Sequence, residues 1–356
     1  MKTKHFKILI VYILIALFIT PAFSARRGDF SKPIKEEHQI SKGALLELNC
    51  EFTNIKAHNW DKDVISIEIN ITVDAKNKEK AQDKFKRVKV EIQASSDRVY
   101  LSTRLAENYF GKGKNNNIEI EAIIYYPEHI RLSVDNEFGS SFFEDISGKV
   151  DIDISYGNFT ANNLTNSELD LEVEFGKIEV NRFQAGDVDV AYGGFAAQIV
   201  GDLHLESEFS SNEMESVEHI RLSSAYDKVY IGQLGSAVMD NEFTGLRIDR
   251  LNKSLKLETS YGSLKVSNIA DDFEKINISS EFTSVKLYFN DKPSFAFKVS
   301  AEMGDFNYPK DLAHITMVEK EMFELSLEGY FGDAKGVDPK LILDLSNASA
   351  TIKIND

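Results

Sequence analysis

A column of carboxylates recurs along the middle of the chain. Asp153, Glu172, Asp189 and Glu206 each precede a recurring aromatic residue by three positions. Hard cations prefer clustered carboxylate oxygens, so these four residues are the candidate metal ligands. Calcium is therefore the one cofactor that the sequence suggests. The alternative is a solvated acidic face that keeps the protein soluble and binds no ion.

The same stretch offers an enzymatic alternative. Lyases and hydrolases of polysaccharides need paired carboxylates, or calcium with a basic residue, on one surface. Asp187, Asp189, Glu206 and Arg221 could be drawn together in that way. A regular repeat supplies such pairs without any selection for chemistry, and its short units leave no room for loops that wall a groove. We therefore expect no catalytic residue and no enzyme activity.

The histidines and the single cysteine give no sign of a site. His38, His58, His129, His204, His219 and His314 do not have the spacing of metal ligands. Cys50 alternates with Leu46 and Leu48, which predicts a buried and inert thiol.

The carboxylates owe their spacing to a ladder of ten residues, nine of them aromatic. Its members lie 17 to 21 residues apart and are Phe138, Tyr156, Phe175, Tyr192, Phe209, Tyr226, Phe243, Tyr261, Phe282 and Met303. An apolar residue precedes each of them by four positions, and a small or turn-forming residue follows directly. Self-similarity at this period is typical of stacked repeat architectures.

Period-two alternation on either side of each ladder residue predicts two short strands per repeat. The phase of the alternation shifts at the ladder residue, which predicts a corner there. The sequence therefore predicts an all-β solenoid with rungs of 17 to 21 residues, in which the ladder residues point inward and stack. Ten rungs at the usual strand spacing would extend about 48 Å.

The residue before each corner alternates between acidic and neutral. It is Glu before Phe, and Ser or Ala before Tyr, from Glu137 to Glu281. Carboxylates on every rung would lie about 4.8 Å apart and repel each other, and alternation doubles that distance. The pattern predicts an outward-facing column.

The chain divides into four predicted regions. Residues 1–24 have the charged start, apolar stretch and small-residue cleavage site of a signal peptide. Residues 25–129 form an N-terminal region with one isolated repeat at Phe52, a short helix and a hairpin. Residues 130–308 form the continuous stack, and residues 309–356 form degenerate rungs or a cap that ends it.

Charge narrows the choice of partners. The net charge of −16 becomes −19 when the three lysines of residues 1–24 are removed. Such a protein is not expected to bind nucleic acid. No second apolar run is long enough to span a membrane, so the mature chain should have no transmembrane segment.

The repeat resembles an exported bacterial family known as "putative adhesin". The resemblance rests on Asn49–Thr53, on residues 123–127 and on the entry into the stack at Asn136–Gly139. It implies a single-stranded right-handed β-helix and supplies no active site.

The sequence thus predicts a non-catalytic, exported β-solenoid that binds a surface protein or a glycan in an adhesin-like manner. Its expected location is the periplasm, the cell surface or the medium. The alternatives are a β-helix carbohydrate-active enzyme and a structural or envelope-stress component.

Overall fold

The computed structural model describes residues 28–106 and 118–355, which contain 26 strands and one helix. The all-β solenoid is confirmed. The strands before the corners form one wall of the solenoid, here called sheet 1, and the strands after them form the opposite wall, sheet 2. The predicted signal peptide lies outside the described residues. Within the described ranges, no helix is long and apolar enough to cross a membrane.

The N-terminal region is joined to the stack and does not stand apart from it. Its elements are β1 (Asp29–Gln39), β2 (Leu45–Glu51), β3 (Thr53–Asn59), β4 (Val64–Asp74), α1 (Lys78–Phe85), β5 (Val88–Ala94), β6 (Arg98–Leu105) and β7 (Ile118–Tyr126). The predicted hairpin is the antiparallel pair β5–β6, and β4 pairs antiparallel with both β1 and β7. The predicted helix begins after Asn77, whose side chain accepts a hydrogen bond from the Lys80 N–H.

The repeat at Phe52, which is isolated along the sequence, is a rung of the stack in space. Its strands β2 and β3 pair in parallel on one side with β6 and β7, and on the other side with the next rung of the chain. The Phe52 ring stacks on that of Phe138 with centroids 4.8 Å apart. Counting along the chain missed this neighbour because 85 residues separate the two corners.

Parallel rungs in register follow from Phe138 onward. Their strands are β8 (Arg131–Glu137), β9 (Ser141–Phe143), β10 (Val150–Ser155), β11 (Asn158–Leu164), β12 (Leu169–Glu174), β13 (Lys177–Ala191), β14 (Gly194–Glu208), β15 (Ser211–Ala225), β16 (Lys228–Glu242), β17 (Gly245–Ser260), β18 (Ser263–Ile269), β19 (Lys275–Glu281), β20 (Ser284–Phe289), β21 (Phe295–Glu302) and β22 (Asp305–Asn307). Each of the long strands β13 to β17 begins just after one corner and ends just before the next, so it contributes to both sheets.

The sequence predicts that the C-terminal residues continue or cap the stack after its last rung. In the structure, part of this segment is inserted between earlier rungs. The segment forms the hairpin β23 (Ala313–Lys320) and β24 (Glu324–Phe331), and then β25 (Leu341–Ser346) and β26 (Ser349–Ile354). Strand β25 lies between β19 and β21, and β26 lies between β20 and β22, in parallel register. The last rung along the chain is thus the second-to-last rung of the stack, because the rung of β21 and β22 lies beyond it. The antiparallel pair β24–β23 covers the sheet 1 edge of β21.

The interior is a continuous apolar core between the two sheets, with buried polar side chains beside the corners. Cys50 lies in this core, and burial raises the pKa of its thiol to about 11, as expected of an inert group. The residues that directly follow the corners face inward, and several of them are polar and buried: Thr53, Ser210, Asp227, Thr244 and Thr283. Side chains at this position accept hydrogen bonds from the backbone of the preceding rung.

Candidate binding face

Three columns of side chains cover the outer face of sheet 1. They lie one, three and five positions before each corner, because alternate residues of each strand are buried. Parallel in-register pairing places equivalent residues of successive rungs side by side. The repeat period of the sequence therefore becomes spatial adjacency on this face.

The structure brings the four predicted carboxylates together in the middle column. Asp153 pairs with Glu172, Glu172 with Asp189, and Asp189 with Glu206. The column also includes Asp135, which is in register with Asp153. Asp135 was not among the predicted ligands, although it has the same offset from Phe138. Five carboxylates thus occupy five consecutive rungs.

Within the residues that the structure describes, none of these carboxylates forms an ion pair with a lysine or an arginine. Partial burial, followed by the charges of Asp135 and Asp151, raises the pKa of Asp153. Partial burial and the charges of the neighbouring acids likewise raise the pKa values of Glu172 and Asp189. The carboxylates of the column therefore repel one another in the isolated protein. A cationic partner would relieve this repulsion.

Neutralising this column should stabilise the protein. A carboxyl group with a raised folded-state pKa binds more protons when folded, so its repulsion is absent at low pH and complete above that pKa. We expect Asp153→Asn/Asp189→Asn to raise the unfolding free energy at pH 7 by about 0.5–1 kcal/mol per relieved pair. The gain should shrink as the pH falls toward 3.8, the ordinary pKa of Asp. Thermal melts at several pH values and salt concentrations measure this effect.

A matched control is Glu213→Gln. Glu213 is exposed on the outer face of sheet 2, and its neighbours in register are the uncharged Ala196 and Tyr230. This variant should leave the melting temperature unchanged within error. Equal effects in both variants would show that net charge matters and that the column does not.

Calcium binding by this column stays a prediction. In the described parts of the chain, no three His, Cys, Asp or Glu side chains converge as ligands around one point. If the column does bind calcium, millimolar calcium should raise the melting temperature of the parent and much less that of Asp189→Asn/Glu206→Gln. If calcium did not change the melting temperature of the parent, the calcium hypothesis would be wrong and the column would be a solvated acidic face.

The residues of the enzymatic alternative lie on the same face, in an ordinary ladder arrangement. In the outermost column, His204 Nδ1 lies 3.0 Å from the Asp187 carboxylate, and its Nε2 lies 3.8 Å from Glu206. Arg221 is in register with His204. A depression of about 410 Å³ on this face lies away from these residues, beside Asp240, Glu258, Glu281 and Asp344.

The ladder residues stack as predicted, but they point outward and not into the core. All ten have a left-handed backbone, and their exposed fractions range from 40 to 55 %. A left-handed residue between two extended segments interrupts the alternation, so that Glu208 and Phe209 both face solvent and Ser210 faces inward. The inward orientation was predicted from strict alternation of inward and outward side chains. That alternation holds only in extended backbone, and the ladder residues are not extended.

The inward position after the corner leaves little room. An ideal Cβ on Gly193 would lie 1.7 Å from the carbonyl oxygen of Gly176 on the neighbouring rung. The interior of the corner therefore accepts small residues, and the large rings lie outside it.

From Phe138 to Phe282 the rings form a continuous stack. Neighbouring centroids are 4.7 to 5.2 Å apart, and the planes differ by 6 to 16°. The ring faces are therefore covered by their neighbours, and the ring edges and tyrosine hydroxyls remain available to a partner.

Replacement of one ladder residue should have a moderate effect. Tyr192→Ala removes two stacked contacts, with Phe175 and Phe209, and should cost about 1–2 kcal/mol. Tyr192→Gly should be about 1 kcal/mol more stable than the alanine variant, because only glycine adopts the left-handed conformation without strain. Urea unfolding of the two variants gives this ranking. If Tyr192→Ala lowered the unfolding free energy as much as the loss of a fully buried aromatic residue does, the ladder residues would have to point inward.

The column next to the ladder alternates in space more regularly than it does along the chain. In chain order, Glu281 would be followed by Glu302, which breaks the pattern. The inserted strand β25 places Ser346 between these two glutamates. The alternation of acidic and neutral residues is thus kept from Glu137 to Glu302.

No protein-family model and no curated protein matches the chain. Three solved structures are similar to it. A "putative cell adhesion protein" from Clostridium sporogenes is 13 % identical, with 91 % of this chain and 100 % of that chain covered and a TM-score of 0.20. A "putative adhesin" from Parabacteroides merdae is 10 % identical, with 71 % and 95 % covered and a TM-score of 0.33.

The third, a "putative adhesin" from Parabacteroides distasonis, is 12 % identical, with 71 % and 96 % covered and a TM-score of 0.36.

Proposed function

We propose that the protein is a non-catalytic, exported, adhesin-like binding protein that holds its partner on the outer face of sheet 1. The observation that carries the proposal is the exposed stack of aromatic rings, which runs unbroken along this face. Contiguous exposed apolar surface on a soluble protein is typical of an interaction site. A flat ladder without walls suits an extended partner better than a small molecule in a pocket.

The charges beside the ladder define the chemistry of that partner. The carboxylate column and the alternating glutamates flank the rings. Few lysine or arginine side chains lie near these acidic groups. A partner with basic side chains would neutralise these carboxylates and gain both affinity and a faster encounter. We therefore favour an extended basic segment of a surface protein over a neutral glycan.

A binding measurement with defined peptides tests this proposal. The probe is a peptide of alternating lysine and tyrosine, and its counterpart is a peptide of alternating glutamate and tyrosine. The first should bind the parent in calorimetry, more weakly as salt is raised, and the second should not bind. Failure of the basic peptide to bind at low salt would overturn the proposal.

Two variants with equal charge change locate the site. Asp153→Asn/Glu172→Gln/Asp189→Asn/Glu206→Gln neutralises four of the five consecutive carboxylates in the middle column of sheet 1. Its control neutralises four carboxylates on the other wall, at Glu179, Glu213, Glu215 and Glu218. The first variant should lose most of the affinity for the basic peptide and the control should retain it. Equal losses would mean that binding follows net charge only.

Export and the absence of catalysis need their own measurements. Cell fractionation with protease treatment of intact cells should recover the protein outside the cytoplasm. Incubation with uronate-containing and neutral glycans should release no product. Product release that Asp189→Asn abolishes would replace the binding function with the enzymatic one.

A further inference from the structure

The outer face of sheet 2 carries a column of cations near its C-terminal end. Arg247, Lys265 and Lys286 occupy three consecutive rungs in register, and all three are exposed. Lys353 lies on the next rung in register with Tyr288, two residues beyond Thr351, which is the residue in register with Lys286. Neighbouring rungs lie about 4.8 Å apart, so three of these positive charges follow the solenoid axis and the fourth lies beside their line on the fourth rung.

Two tyrosines contact three of these four cationic side chains. The Arg247 guanidinium lies over the Tyr230 ring, 5.7 Å from its centroid. Lys265 and Lys353 flank the Tyr288 ring from the two neighbouring rungs, each with its ammonium nitrogen 5.6 Å from the centroid. Cation–π contacts of this kind reduce the freedom of long side chains before any ligand arrives.

The column lacks a matching set of carboxylates. Arg247 is paired with Asp249, at 3.0 Å from both Nε and Nη2. Within residues 28–106 and 118–355, Lys265, Lys286 and Lys353 form no ion pair. This is unusual in a chain of net charge −16, and it leaves three ammonium groups on three consecutive rungs free to bind an anion.

We infer that this cation column binds a single chain of an acidic polysaccharide that lies along the solenoid axis. The charges extend over four rungs on a flat wall, so the ligand must carry an anionic group repeatedly and not once. The remainder of the protein is acidic and repels a wide polyanion, so the ligand must be thin. The inference does not depend on the proposed function, because it concerns the opposite wall of the solenoid.

Single-stranded nucleic acid fits the column less well. Proteins that bind it combine positive charge with aromatic faces on which bases stack. Here the faces of Tyr230 and Tyr288 are already covered by cationic side chains. A polysaccharide with carboxylate or sulfate groups needs the charges and does not need the ring faces.

Affinity electrophoresis of the full chain tests the inference. The probes are polygalacturonate, dextran sulfate, neutral dextran and single-stranded oligothymidylate. The parent should be retarded by one or both acidic polysaccharides, less so at high salt, and not by neutral dextran. The carboxylate and sulfate arms identify the anionic group. Absence of retardation by both polyanions, or stronger binding of the oligonucleotide, would overturn the inference.

Three variants assign the effect to the column. Lys265→Gln/Lys286→Gln should weaken polysaccharide binding at least tenfold. The control Lys149→Gln/Lys256→Gln removes two lysines that are paired with Glu168 and Glu258, and it should bind as the parent does. Tyr288→Leu keeps every charge but removes the shared ring, and it should weaken binding about threefold. Equal losses in the first variant and its control would contradict the assignment.

Self-association is the remaining alternative occupant of the column. If ultracentrifugation showed that the parent forms salt-sensitive oligomers that Lys265→Gln/Lys286→Gln abolishes, and no polysaccharide bound, the column would be a contact between copies. That outcome would overturn the polysaccharide inference. It would leave the proposed function of sheet 1 untouched, because the basic-peptide measurement uses other residues.

Discussion

Deletion of residues 341–356 should release residues 295–336 from the stack while the rungs from Phe138 to Tyr261 stay folded. The deleted segment contains β25 and β26, which lie between two rungs and contribute the buried Leu341, Leu343 and Leu345. Repeat proteins are stabilised by contacts between nearest neighbours, so loss of an inserted rung separates everything beyond it. Limited proteolysis with mass spectrometry should show new cleavage confined to residues 295–336.

A peptide supplied in trans provides the control for this deletion. A synthetic peptide of residues 341–354 should restore protease protection by adding the missing strands to the sheets. The same peptide with Leu343→Asp should not, because a buried charge opposes its insertion. If residues 295–336 stayed protected in the deletion variant alone, the C-terminal rung would lie at the end of the stack and not inside it.

Asp227→Ala should be among the most destabilising single changes in the stack, at about 2–4 kcal/mol. Asp227 is buried at a corner, where most rungs have a smaller residue. Its carboxylate accepts hydrogen bonds from the Ser210 N–H at 2.6 Å and from the Ser224 hydroxyl at 2.7 Å. Alanine leaves the buried Ser210 N–H without its acceptor and the buried Ser224 hydroxyl with only Thr244 Oγ1, at 3.0 Å, as a partner, and urea unfolding measures the cost.

Asp227→Asn separates this explanation from a loss of charge. The asparagine oxygen can accept from the Ser210 N–H, and its amide can donate to the Ser224 hydroxyl, which is able to reverse its role. The cost should therefore stay below about 1 kcal/mol. If asparagine were as destabilising as alanine, the charge and not the hydrogen bonds would stabilise this corner.

The repeat made much of the fold predictable from sequence. In a parallel in-register stack, a constant offset from the corner becomes one column in space. This is why the contacts among Asp153, Glu172, Asp189 and Glu206 could be anticipated from spacing alone. Hairpin β5–β6 and helix α1 were predictable for a different reason, since their signals are local.

Two errors arose where one-dimensional counting does not describe the chain. At Tyr192 and its equivalents, a left-handed residue interrupts the alternation, so the inward assignment was wrong. At both ends, a distant segment is inserted into the stack, and counting along the chain cannot reveal it. One signal was present, because Glu281 and Glu302 break the alternation unless Ser346 lies between them.

The importance of Asp227 needed the structure. The sequence shows an acidic residue where most repeats have glycine, serine or threonine. Its role depends on Ser210 and Ser224, which approach it only when the rungs are stacked. The cation column of sheet 2 is a similar case, because Lys353 joins it only through the inserted C-terminal rung.

The most direct test of the binding face is nitration of the ladder tyrosines with and without the lysine–tyrosine peptide. In the folded protein, Tyr156, Tyr192, Tyr226 and Tyr261 are about half exposed and should react, and the buried Tyr126 should not. Saturating peptide should protect these four, while Tyr230 and Tyr288 on sheet 2 react as before. Ladder tyrosines that react only after unfolding, or that react equally in the presence of bound peptide, would contradict the assignment of this face as the binding site.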